Sequence, residues 1–109
     1  MRLFGKRSHF NFDEIFHQYK GTVYKIIRRT VFSHDDAMDI SQNVFINIYK
    51  YLPNFKGDSD ISTWIYRITV NETSRFFTQK YDRDERRRRQ KEKDALSSIQ
   101  MPVFQRNVD

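Results

Sequence analysis

Apolar residues along this chain recur every three or four positions, with almost no strict alternation, and that period belongs to amphipathic helices. Phe12, Ile15, Phe16, Tyr19, Val23, Ile26 and Ile27 form a first stripe, broad enough to face a core. Asn11 and Glu14 stand before it as a capping-box-like pair, with Asn in place of the usual Ser or Thr, and set the helix start near Asn11. Thr30 to Phe32 read as its exit. Ser33 with Asp36 marks a second start, where Asp35 and Asp36 suit the positive end of a helix. From there to Leu52 the pattern predicts a helix with Ala37, Ile40, Val44, Ile48 and Tyr51 or Leu52 on one side. Pro53 stops it, and Pro53 to Asp60 is the clearest loop in the chain. A third helix follows from about Ile61, capped by Ser59 or Asp60, with Ile61, Trp64, Ile65 and Ile68 as its buried stripe. No strong breaker occurs before Ser97, which predicts a long helix that frays after Tyr81. From Leu96 to Asp109 periodicity lapses, and the expectation there is a tail or linker. The fold class is all-α.

Composition narrows the reading. The 109 residues suit one domain, expected over residues 11–95 after a basic extension at 1–10. Only 38% of residues are apolar, but ten Phe, six Tyr and one Trp concentrate burial into large side chains, so a small core can form with a modest margin. Cysteine is absent, which removes disulfides and thiolate metal sites. Nothing approaches the ~20 apolar residues of a membrane span, and the basic N-terminus lacks the apolar centre of a signal peptide; a cytoplasmic location is expected. The net charge of +6 favours polyanionic partners, nucleic acid or an acidic protein face, without choosing between them.

Candidate chemistry sits in three places. The other side of the second helix carries Asp39, Gln42, Asn43, Ile46 and Tyr49. Asp39 and Gln42 are three apart and therefore neighbours on one helical side, with Ile46 and Tyr49 one and two turns along. A carboxylate can take a bidentate Arg while the apolar pair excludes water, as a docking surface requires. Taken alone, the same residues also fit an ordinary solvated face. The third helix holds Arg67, Asn71, Arg75 and Lys80 behind the loop residues Phe55, Lys56, Asp58 and Ser59. Last, Asp82 to Asp94 is almost wholly charged, with four consecutive arginines at Arg86 to Arg89. Its cations could track phosphates, yet the interspersed acids fit a solvated helix laced with i,i+4 pairs. The three histidines are scattered; no metal or cofactor is expected, and no nucleophile–base pairing, metal cluster or phosphate-cradling glycine loop suggests an enzyme.

The run Asp36-Ala-Met-Asp-Ile-Ser-Gln-Asn-Val-Phe45 with Tyr49 and Leu52 resembles region 2.2 of a bacterial RNA polymerase sigma factor. Phe55-Lys-Gly-Asp-Ser59, Thr63-Trp-Ile-Tyr-Arg-Ile68 and Asn71 resemble regions 2.3 and 2.4. The pattern is most similar to the extracytoplasmic-function (ECF) group and covers roughly Phe12 to Tyr81. It implies a compact three- to four-helix region 2 domain with a specificity loop between the second and third main helices. Region 2.1 would lie at about 11–32, 2.2 at about 33–52, and 2.3 with 2.4 at about 53–90.

The resemblance also implies partners. Asp39, Gln42, Asn43, Ile46 and Tyr49 would meet the clamp coiled coil of the largest subunit of core RNA polymerase. The loop and third helix would bind promoter DNA, capturing flipped non-template bases of the single-stranded minus-ten element through Phe55, Lys56, Asp58, Ser59, Trp64, Arg67, Asn71, Arg75 and Lys80. Such capture needs aromatic faces, polar groups for base edges and cations for phosphates, and the segment contains all three. An anti-sigma factor is a further implied partner. Competing roles stay open for several residues: Trp64 at helical spacing reads first as core, Phe55 could plug a gap under the loop, and Asp58 could tie the loop down. Two departures stand out. The family commonly has Glu where this chain has Met38 and Asn43, and nothing in the 109 residues supplies region 4, the helix-turn-helix domain that reads the minus-thirty-five element. The expectations are a fragment of a sigma factor or a half-sigma working beside another protein. The alternative function is an interaction module that docks on polymerase or an anti-sigma factor without opening promoters; a nonspecific basic DNA binder ranks below both.

Overall fold

The computed structural model describes residues 10–108, with side-chain surroundings through Ser98; residues 1–9 of the expected basic extension lie outside the described residues. Three α-helices and one short 3-10 turn follow one another, with no strand among the described residues: α1 (Phe12–Arg28), α2 (His34–Tyr51), the turn (Leu52–Asn54) and α3 (Ile61–Val108). The chain divides into two compact units, one ending at Phe76 and one beginning at Phe77, and α3 contributes to both.

Both expected starts are real caps. The Asn11 side-chain oxygen accepts from the backbone N–H of Asp13 at 2.8 Å and of Glu14 at 3.3 Å. Ser33 Oγ accepts from the Asp36 N–H at 3.2 Å. Each satisfies amides that the first helical turn leaves without a partner. At the end of α1 the Val31 N–H donates to the Ile27 carbonyl at 3.0 Å, turning the chain inward so that Val31 is buried. Pro53 falls inside the 3-10 turn, as a residue without a donor N–H must near a helix end. There the Phe55 N–H donates to the Leu52 carbonyl at 3.0 Å. Asp60 opens α3 through its carbonyl, which accepts from the Trp64 N–H at 3.0 Å.

The core of the first unit joins Ile15, Val23 and Ile27 of α1, Val31, and Ala37, Ile40, Val44, Phe45 and Ile48 of α2 to Leu52, Phe55 and Ile65. Trp64, Ile61 and Ile68 pack at its margin. Thr69 is fully buried among these apolar groups. Its hydroxyl donates back to the Ile65 carbonyl at 2.8 Å, which removes the cost of an unpartnered buried hydroxyl.

In the second unit α3 continues to Val108, through the stretch from Leu96 onward where a tail or linker was expected. Residues 79–98 are rich in Arg, Lys, Glu, Gln, Ala and Leu and contain no Gly or Pro. Over that span, high propensity and cheap propagation from an existing helix outweigh the missing apolar period; the continuation across Pro102 has no such support in the sequence. Arg88 donates to Glu85 at 2.8 Å and to Glu92 at 3.0 Å, and Gln90 donates to Asp94 at 2.9 Å. Among the described residues, no helix is long and apolar enough to cross a membrane.

Candidate functional site

An open groove of about 890 Å³ runs between α1 and α2. Asp39, Gln42, Ile46 and Tyr49 line it from α2, so four of the five expected docking residues share one concave surface. Asn43 is exposed but does not line the groove. Ile46 is 55% and Tyr49 67% exposed, so a helix that also feeds the core leaves a second, apolar side open to solvent.

Half of the groove was not anticipated. Phe12, Phe16, Lys20, Gly21 and Tyr24 of α1 form the opposite wall, and Met38 joins from α2. The signal was the width of the first apolar stripe, which holds more large side chains than one face can bury. The aromatic rings meet edge to face: Phe12 with Tyr49 at 5.3 Å, Phe16 with Phe45 at 5.0 Å and Phe12 with Phe45 at 6.4 Å between ring centres. Lys20 Nζ lies 5.6 Å from the Phe16 ring centre, within cation–π range. Asp39 and Lys20 thus place one charge of each sign on a largely apolar surface. Met38, 50% exposed, makes the rim more apolar.

A hydrogen-bonded cluster fixes one end of this pair of helices. The Tyr24 hydroxyl lies 2.7 Å from His34 Nδ1 and accepts from Arg28 at 3.0 Å. It ties the last turns of α1 to the first turn of α2, so the groove walls hold a set separation at that end.

The loop turns its aromatic residue inward. Phe55 is only 7% exposed, seated between Phe10 at 5.6 Å and Trp64 at 4.9 Å between ring centres. Of the two roles the sequence leaves open for Phe55, this burial favours a plug beneath the loop over an open stacking surface. Burial of so large an apolar ring outweighs its availability to a ligand. Trp64, half-buried, lies against it at the core margin, where the sequence reading of a core residue had placed it. Lys56 and Asp58 are exposed and Ser59 is half-buried. Gly57 turns the loop with φ of +80°, a backbone conformation that other residues adopt only with strain.

Behind the loop, Arg67, Asn71 and Arg75 follow at intervals of four and are all exposed, which sets them along one side of α3. Two residues not singled out in the sequence support this side. Asn47 of α2 donates to Glu72 of α3 at 2.6 Å, and Glu72, with a side chain 10% exposed, also receives Arg75 at 3.5 Å. The bond fastens α3 to α2 at the level of Arg75. Lys80 belongs to the second unit, where it pairs with Asp84 at 3.6 Å.

Sequence comparison with known proteins identifies the family. The Sigma-70 region 2 family matches residues 15–83. The RNA polymerase sigma-H factor of Pseudomonas aeruginosa is 40% identical over 60 residues, covering 55% of this chain and 31% of that protein. The ECF RNA polymerase sigma-E factor of Escherichia coli strain K12 is 40% identical over 67 residues, covering 62% of this chain and 34% of that protein. Its namesake in Haemophilus influenzae is 34% identical over 67 residues, 62% of this chain and 35% of that protein. The chain thus spans about a third of the length of these relatives. No solved structure matches significantly. With well over half of its residues matched in one uninterrupted block, the chain belongs to the Sigma-70 region 2 family.

Proposed function

We propose that this chain serves transcription initiation as a sigma region 2 domain, docking on core RNA polymerase and recognising the promoter minus-ten element. The observation that carries the reading is the α1–α2 groove, which gathers Asp39, Gln42, Ile46 and Tyr49 beside exposed apolar rings. A helical hairpin such as the clamp coiled coil would bury the apolar rim and offer an Arg or backbone donor to Asp39 and Gln42. An anti-sigma factor would compete for the same rim.

Minus-ten recognition falls to the exposed side of α3 with Lys56, Asp58 and Ser59. Asn71 can donate and accept at one base edge, while Arg67 and Arg75 take phosphates. Trp64 supplies an edge at the core margin, and Phe55 acts from beneath by holding the loop. No nucleotide-hydrolysis motif is present in the sequence, so strand opening would draw on the binding energy of captured bases. A second reading, docking without promoter opening, gains support from the burial of Phe55, which takes away a stacking face.

Paired binding assays test both readings. Asp39→Arg and Gln42→Ala should weaken polymerase association while single-stranded minus-ten oligonucleotides still bind. Asn71→Ala and Arg67→Ala should do the reverse. Equal damage to both activities by both sets, in folded protein, defeats the division of faces. Wild-type complexes that bind polymerase but leave promoter thymines unreactive to permanganate decide for the second reading.

A further inference from the structure

The family match ends at residue 83, and the most basic part of the chain begins there. From Lys80 to Asp94 eight basic side chains face five acidic ones. The intrahelical pairs distribute these charges unevenly. Asp84 receives Lys80 and Arg87, and Glu85 and Glu92 close on Arg88 from either side. Glu85 lies 4.0 Å from Arg89 as well. The hydrogen bond from Arg88 holds the Glu85 carboxyl below the usual carboxylate range, against a smaller opposing effect of desolvation. Arg83, Arg86, Lys91 and Lys93 are exposed and have no ion pair among the described residues.

At about 100° per residue, Arg83, Arg86, Arg89 and Lys93 fall within roughly a third of the helix circumference. Gln79 and Gln90 share that side, and Asp82 is the acid among them. The acids Asp84, Glu85 and Glu92 lie on the other side, with Phe77 and Tyr81. We infer that this second unit carries a phosphate-tracking stripe that grips duplex DNA without reading its sequence. The inference stands apart from promoter recognition, because the stripe lies almost wholly beyond the matched family region.

Three features favour a duplex over other polyanions. Three of the four cations on the stripe are arginines, whose planar forks suit phosphate oxygens. From Arg83 to Lys93 a helix rises about 15 Å, the axial length of four to five nucleotides of one strand at about 3.4 Å each. Single strands are held by stacking as much as by charge, and here Phe77 and Tyr81 point away from the stripe. A carboxylate-bearing protein would present shorter, irregularly spaced anions.

The test is salt-dependent binding of the full chain to a duplex that lacks a minus-ten element, without polymerase. Arg83→Gln, Arg86→Gln and Lys93→Gln together should lower affinity at least about tenfold and flatten the slope of log K against log salt by about 0.9 per cation. Arg83→Lys with Arg86→Lys should restore most of the slope. Arg88→Gln, which removes the same charge from the carboxylate-clamped position, should leave the slope nearly unchanged. Helicity measured on each variant confirms that the helix persists. Equal losses from Arg86→Gln and Arg88→Gln overturn the stripe, since net charge alone would then account for binding. Displacement of the duplex by polyglutamate at matched charge, or tighter stripe-dependent binding of a single strand, overturns the choice of partner. Failure of minus-ten recognition would leave every arm of this experiment unchanged.

Discussion

The α1–α2 groove and the loop before α3 both hold phenylalanines amid polar residues, yet the two regions dispose of them in opposite ways. In the groove, Phe12 and Phe16 are half-buried and border open space, and Tyr49 stands mostly in solvent. In the loop, Phe55 disappears between Phe10 and Trp64. A helix dictates where each side chain points, so an overfull stripe must leave rings at its edges. A loop makes no such demand, and its one large apolar group turns inward. Exposed apolar groups on a regular element are therefore better evidence for a docking face than an aromatic in a loop is for a ligand pocket.

Phe55→Ala offers the sharpest break. It should destabilise the protein by ~3–5 kcal/mol, the range for emptying a buried aromatic site, as read by urea denaturation. Tyr49→Ala should cost no more than about 1 kcal/mol, an exposed edge-to-face contact. If the two cost the same, the contrast between groove and loop collapses.

Next in size is Asn47→Ala. It leaves the largely buried Glu72 carboxylate short of a donor and should cost about 1–3 kcal/mol in the same assay. Ser33→Ala should cost about 1 kcal/mol through the lost cap of α2, visible as a lowered Tm, and Gly57→Ala a similar amount through its left-handed backbone. Both bear on the comparison, because the first frays the groove wall while the second strains only the loop.

The smallest effect concerns Glu85. Its carboxyl is held below the ordinary value by Arg88, so the helical support it provides is present above the unfolded-state carboxylate pKa and is lost as pH falls through the lowered one. Helicity followed by circular dichroism should drop modestly over that acid range, and Arg88→Gln should move the drop toward higher pH.

The chain announced its helices through particular residues. Asn11 and Ser33 cap where their spacing to Glu14 and Asp36 said they should, and Pro53 closes α2. That Asp39, Gln42, Ile46 and Tyr49 share one side of α2 was legible because they obey a helical period. The α1 wall was not, since Phe12 and Phe16 satisfy the same apolar pattern whether fully or half covered. Asn47 with Glu72 was invisible because a contact 25 positions apart depends on how two helices pack. Phe55 was ambiguous for want of any period. The run of α3 through the charged stretch to Leu96 followed propensity where amphipathic pattern was absent.

The edge-to-face rings of Phe12, Phe16, Phe45 and Tyr49 have one more effect. Each ring restricts its neighbour's rotation, so these side chains have less freedom to lose than isolated surface rings. Association then forfeits little side-chain freedom, and complexes formed there should owe their lifetime to shape fit more than to late rearrangement. Loosening the lattice with Phe16→Leu would be felt chiefly as faster release.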